Sequence, residues 1–330
     1  MCRTANGFDI NGFGQLKDGR GNIAPITIIL PTLAMEAQEY CLNEYKSFGS
    51  YEIFNQFLNI LDEAIHDAKD ELLERFEYIC SQPAESAKFM YENHTMAGYV
   101  PEEGIRSAMK HGTLVIGQLG LAETLQIIFG KNHTDPEMME IAKKIEQLFK
   151  TRCAEFKQQY KLNFGVYYTP AENLCYTAMK KFKAKYGEIT HVSDHEYFTN
   201  SIHVPVWEHV GVLEKIDIES QLTGYSNAGC ITYVELDNSV QHNLKALEEI
   251  VNYAMDKDIP YLAINVPNDT CLDCGFTGEF NDKCPACGST HIQQLRRVTG
   301  YLTGDYRTAF NYGKQKETEA RVKHVNRMEE

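Results

Sequence analysis

Gly229-Cys230-Ile231-Thr232-Tyr233-Val234-Glu235-Leu236, a helix-period tract at 243–256 and Tyr261-Leu262-Ala263-Ile264-Asn265-Val266 read in turn as strand, amphipathic helix and strand. Short apolar runs on either side of an amphipathic helix are the pattern of a parallel pair with a covering helix. The same alternation extends toward the amino terminus. Ile26-Thr27-Ile28-Ile29-Leu30, closed by Pro31, reads as a buried strand. Helices are expected over 33–48 and 50–80, the second with Phe54, Phe57, Leu58 and Leu61 at helical spacing. Residues 93–104 read as a loop, and 112–129, with three glycines, as part strand and part helix. Thr134-Asp135-Pro136 starts a helix that runs to about residue 160, with proline in its first turn. A strand at 163–169, a helix at 171–185, a short strand at 203–207 and a helix at 208–222 complete the series. About five strands alternating with helices predict an α/β fold with a parallel sheet. They are too few for an eight-stranded barrel and suit half of something larger.

The ends of the chain differ from this middle. The first 22 residues carry Gly7, Gly12, Gly14, Gly19 and Gly21, the composition of an extended loop. A chain of 330 residues, 43% of them hydrophobic, can bury one large α/β domain with an appendage, or two domains. A net charge of −14 argues against a nucleic-acid or anionic-membrane surface. An anionic substrate then needs backbone amides, such as those at helix N-termini, or a few placed Arg and Lys side chains. No apolar run approaches the roughly 18 residues of a membrane helix. Met1-Cys2-Arg3-Thr4 has no signal or transit character. The ten cysteines are therefore expected to be intracellular thiols, metal ligands or catalytic groups, in a cytoplasmic protein.

Four of them form a pattern. Cys271-Leu272-Asp273-Cys274 and Cys284-Pro285-Ala286-Cys287 are each followed by a glycine, Gly275 and Gly288. A C-x-x-C turn lets two thiolates bite one metal, and two such knuckles close a tetrahedral site with no open position. Redox C-x-x-C pairs rarely come as a knuckle pair, so a structural zinc ion is expected, favoured over iron. The segment between the knuckles cannot make a core of its own, and the metal must hold it.

Gln294-Leu295-Arg296-Arg297-Val298-Thr299-Gly300-Tyr301-Leu302 follows. It resembles the Arg-Val-x-Gly-Tyr motif of glycyl radical enzymes, in which the glycine carries a stable backbone radical; here that glycine is Gly300. Glycine is needed because a Cα radical flanked by an amide and a carbonyl is planar, and a side chain would clash with planarity. With the four cysteines beside it, the chain resembles the carboxy-terminal part of anaerobic (class III) ribonucleoside-triphosphate reductase. Asp18-Gly19-Arg20-Gly21-Asn22, His111-Gly112-Thr113-Leu114, Gly120-Leu121-Ala122-Glu123, Thr169-Pro170-Ala171-Glu172, Asn200-Ser201-Ile202-His203-Val204-Pro205-Val206, Phe310-Asn311-Tyr312-Gly313-Lys314 and Arg321-Val322-Lys323-His324 match it in order.

The resemblance implies half of a ten-stranded α/β barrel with its finger loop over 1–267, a four-cysteine zinc ribbon over 268–292 and a glycyl radical loop and tail over 293–330. It implies that Gly300 relays its radical to a cysteine in the finger loop. Cys2-Arg3-Thr4 matches that cysteine's motif, although Met1 stands where the family has a small residue. Asn22, Tyr167 and Glu172 match active-site residues. The implied reaction is reduction of ribonucleoside triphosphates without oxygen, with formate or a thiol protein as reductant. A radical-SAM activating enzyme with an iron–sulfur centre would generate the radical. The family's amino-terminal half has no counterpart here, so a second chain carrying it, or self-association, is expected. The competing readings are a non-catalytic relic and a formate-lyase relative. Cys41, Cys80, Cys153, Cys175 and Cys230 read as small apolar residues, Cys230 being the one expected to face the barrel interior.

Overall fold

The computed structural model describes residues 4–280, 282–297 and 305–324. The chain divides into two compact units, Met1–Thr169 with Gly224–Cys230, and Pro170–Thr223 with Ile231–Glu330.

In the first unit β1 (Asn22–Ile29), β2 (Thr113–Leu119) and β3 (Asn163–Val166) form a parallel sheet in the order β1-β2-β3. Central β2 is buried at every position, as expected of a strand in a sheet covered on both faces. Pro25 is tolerated in β1 because β1 has β2 as its only partner among the described residues, and an edge strand can lack an N–H. The helix after β1 is Leu30–Glu44, earlier at both ends than expected. Pro31 closes the strand by sitting in the first helical turn, where a missing N–H removes no bond. The helix Ser50–Cys80 buries Phe54, Phe57, Leu61, Ile65, Leu72 and Phe76 along one face. The helix Pro136–Tyr160 begins as its sequence predicts, with the Asp135 carboxylate accepting from the amides of Glu137 and Met138. After β3, Tyr167 forms a parallel bridge with Gly229. The turn beyond it crosses over Gly117, where a Cβ would stand 2.1 Å from Thr169 Oγ1 and 2.3 Å from the Tyr167 carbonyl.

In the second unit β4 (Thr232–Glu235) and β5 (Leu262–Asn265) run parallel, joined through the helix Leu244–Asp256. Val212, Ile216, Val234, Ile250, Ala254 and Ile259 form their shared core. β6 (Asn268–Cys271), β7 (Thr277–Gly278) and β8 (Ile292–Leu295) make a small antiparallel sheet in the order β7-β6-β8. The expected strand at 203–207 does not form. The Val204 amide donates to the buried Glu219 carboxylate at 3.1 Å, and Pro205 has no amide to give. A side chain does there what a ladder would otherwise do. With that correction the architecture is α/β, and the other segments read as strands form β1 to β5.

Candidate functional site

The four cysteines converge. Cys271 closes β6 and Cys274 follows in a turn whose next residue, Gly275, has φ +76°; Cys284 and Cys287 repeat it with Gly288 at φ +73°. In both turns the glycine N–H returns to the first cysteine's carbonyl at 2.9 Å. The left-handed conformation favours glycine, which carries no Cβ. All four sulfurs lie within 4.8 Å of one another, and the pairs Cys271–Cys287 and Cys274–Cys284 are 3.6 Å apart. A tetrahedral ion with bonds of about 2.3 Å to sulfur has edges of about 3.8 Å. The set therefore fits one metal ion and leaves no position open. The amides of Cys274 and Asp273 hold the Cys271 thiol down at about 7. The Ser289 amide does the same for Cys287, but the neighbouring Cys274 and Cys271 outweigh it and push that thiol up to about 12. Sulfurs this close resist ionising together, and a bound cation removes that resistance.

Beyond β8 the chain is gripped again. Arg296 forms a two-pronged ion pair with the fully buried carboxylate of Asp269 on β6, with Nη2 3.0 Å from Oδ2. The Arg297 guanidinium lies over the Tyr233 ring at 5.7 Å. The Arg297 carbonyl accepts from Arg321 Nη1 at 2.6 Å. Arg321 is itself held by Glu235 at 3.2 Å and Glu317 at 3.3 Å. Burial alone would lower its pKa, but these two carboxylates keep it above the ordinary arginine value. Glu317 also takes the ammonium of fully buried Lys314, whose Nζ is 3.7 Å from Cys175 Sγ.

Gly300 and Cys2 lie outside the described residues. The chain that follows Cys2 is described from Thr4 onward, and the glycine-rich loop is tied down tightly. The Ala228 carbonyl accepts from the Ala5 amide at 2.9 Å and from Asn22 Nδ2 at 3.1 Å. The buried Asn22 Oδ1 has no partner among the described residues, so it remains open to a ligand donor. Tyr167 is fully buried beside Ala228 and Val115. In the second unit Glu172 is half-buried, and it and Ala171 both have positive φ, +42° and +49°. Two successive non-glycine residues in that region store strain, and strained backbone gathers at functional sites.

Three polar clusters escaped the sequence reading. Asp9 accepts from Asn163 at 2.7 Å and from the amides of Asn11 and Phe13, and lies 2.7 Å from His111 Nδ1. Arg20 donates to the carbonyls of His111, Gly7 and Leu16. The fully buried Glu146 accepts from Gln118 at 2.9 Å. The Glu235–Arg321–Glu317 chain is the third. The available signals were an acid among glycines, an acid on an apolar helix face, and an arginine in the motif Arg321-Val322-Lys323-His324 of the tail.

A family model described as anaerobic ribonucleoside-triphosphate reductase matches residues 1–324. The chain belongs to the anaerobic ribonucleoside-triphosphate reductase family. The reductase of that name from Escherichia coli K12 is 34% identical over 338 residues, covering 98% of this chain and 45% of the relative. That of Enterobacteria phage T4 is 31% identical, covering 94% of this chain and 50% of the relative. The chain thus spans about half the length of the reductases it matches, and it corresponds to their carboxy-terminal half. A solved structure of an anaerobic ribonucleotide reductase superposes with a TM-score of 0.72 at 21% identity, over 93% of this chain and 46% of that one. Another, from Thermotoga maritima with glycerol in the active site, gives 0.70 at 21% identity, over 93% and 46%. These two likenesses bear on the fold. Membership of the reductase family decides against a formate-lyase relative. No helix among the described residues is long and apolar enough to cross a membrane.

Proposed function

We propose that this chain is the radical-bearing carboxy-terminal half of an anaerobic ribonucleoside-triphosphate reductase and works together with the amino-terminal half of such an enzyme. The observation that carries the reading is a family match that runs from residue 1 to residue 324 and so takes in both Cys2 and Gly300. In this reading the hydrogen leaving the Cys2 thiol restores Gly300 and creates a thiyl radical. The thiyl removes the ribose 3′-hydrogen, water leaves from C2′, and formate or a thiol protein provides the electrons. Asn22 offers an oxygen with no partner among the described residues near the loop that descends from Cys2, and the strained turn at Ala171-Glu172 supports a working role for Glu172. A radical-SAM enzyme would install the radical. The four-cysteine site is assigned to structural zinc, since four thiolates in a closed tetrahedron suit an ion with no redox chemistry.

The half-barrel over 1–267, the ribbon over 268–292 and the radical loop over 293–330 are the working division of this proposal. The test is reconstitution. With the amino-terminal half and activase added under anaerobic conditions, the chain is expected to give a doublet paramagnetic signal and to reduce ribonucleoside triphosphates. Oxygen should then cleave it at Gly300. Gly300→Ala should lose signal and cleavage, and Cys2→Ser should keep the signal and lose turnover. Turnover by Cys2→Ser, or a doublet from Gly300→Ala, would refute the assignment.

A further inference from the structure

We propose that Arg321 is a positioning residue for the chain that leads into Gly300. It holds the Arg297 carbonyl while two carboxylates fix it, Glu235 at the carboxyl end of β4 and Glu317 on the helix Tyr312–Ala320. The inference rests on Gly300 being the radical site.

The partners form a continuous chain. Asn265, the last residue of β5, donates to Glu235 Oε1 at 2.7 Å. Glu235, the last residue of β4, accepts from Arg321 at 3.2 Å. Glu317 holds the opposite side of the guanidinium at 3.3 Å. Two carboxylates fix a planar fork, so its bond to the Arg297 carbonyl has a set direction. Arg297 is caught a second time by the Tyr233 ring on β4. Arg296 before it is locked to Asp269. The parallel pair of the second unit therefore fixes the backbone three residues ahead of Gly300. A glycine that must give its hydrogen to an activase and later take one from a cysteine needs a defined point of departure. Lysine carries the same charge, but its three rotatable N–H bonds radiate from one nitrogen and have no planar fork to hold the acceptors in a set direction.

Trypsin reads this grip directly, because cleavage after Arg297 requires both the side chain and the carbonyl that are held. In the full chain Arg321→Lys is expected to speed cleavage after Arg297 about tenfold relative to other sites, the factor for one lost charge-assisted hydrogen bond. With the amino-terminal half and activase present, the same variant should form several-fold less radical while its zinc content and melting temperature stay at wild type. A general folding defect would lower all three together. Glu317→Gln keeps an acceptor for the guanidinium and should show both effects more weakly; it decides the matter if Arg321→Lys does not fold. Unchanged cleavage after Arg297 overturns the proposal. So does faster cleavage with a wild-type radical yield, which would leave a grip without a positioning role. Absence of radical in the wild type would instead bring down the Gly300 reading itself, a failure seen before any variant is made.

Discussion

His111 Nδ1 stands 2.7 Å from the Asp9 carboxylate, with both side chains buried where the glycine-rich loop meets the start of β2. Burial pushes the Asp9 carboxyl up, but the hydrogen bonds from Asn163, His111 and two backbone amides outweigh it and hold the pKa at about 2, against 3.8 unperturbed. A carboxyl depressed on folding stabilises the protein above its unfolded pKa, and the gain is lost as pH falls through the folded value. Asp9→Asn is therefore expected to lose about 2 kcal/mol at pH 7, with the gap to wild type closing between pH 4 and pH 2. Urea unfolding across that range measures it. A gap that stays constant would mean that shape, and not charge, matters at this position.

Glu146 has the opposite sign. Burial raises its pKa from 4.5 to about 7, against smaller opposing effects of the bonds from Gln118 and Tyr168. The penalty for ionising it is absent below pH 4.5 and complete above pH 7. Glu146→Gln is expected to stabilise the protein by about 2–3 kcal/mol at pH 8 and to be near neutral at pH 4.5. Melting curves at the two pH values decide this, and equal shifts would contradict it.

Gly117→Ala should be among the most damaging single-atom additions. The new Cβ would meet the Tyr167 carbonyl at 2.3 Å, and backbone cannot step aside as a side chain can. A loss of about 3 kcal/mol or more is expected, from overpacking together with the displaced β2–β3 register. A variant with wild-type stability in guanidinium would show that this crossing is looser than described.

Metal removal should act locally. Purified protein is expected to hold one zinc per chain, and Cys284→Ser should release it. Trypsin should then cut within 268–295, while the α/β units keep their far-ultraviolet circular dichroism. The ribbon has little apolar core, so binding energy supplies its folding energy. Full zinc content in Cys284→Ser would remove that cysteine from the ligand set.

The four-cysteine knuckles, the Asp135 helix start and the helix Ser50–Cys80 were legible because each is written locally, in cysteine spacing, a cap or a 3.6-residue period. The strand expected at 203–207 failed for a reason no local pattern carries. Its apolar run was real, but Glu219 from another segment took the Val204 amide. Asp9 read as one more loop residue because its partners, His111 and Asn163, are distant in sequence. Arg321 was visible only as part of a motif, and its two carboxylates come from β4 and from the helix Tyr312–Ala320. Local periodicity thus gave the elements, and the side chains that tie segments together emerged only with their spacing in three dimensions.

The antiparallel ribbon also bears on the order in which the molecule assembles. Its pairings join Asn268 to Leu295 and Thr270 to Thr277, and its ligands fall between Cys271 and Cys287. β1 must instead wait for β2, pairing Asn22 with Thr113. Short loops close on timescales far below those of long-range parallel pairing. Once Leu295 has left the ribosome the ribbon has all three strands and all four cysteines, and it can close without consulting the rest of the chain. The sheet of the first unit makes the slower search, and during that interval the unpaired edge of β1 is open to capture by a neighbouring nascent chain.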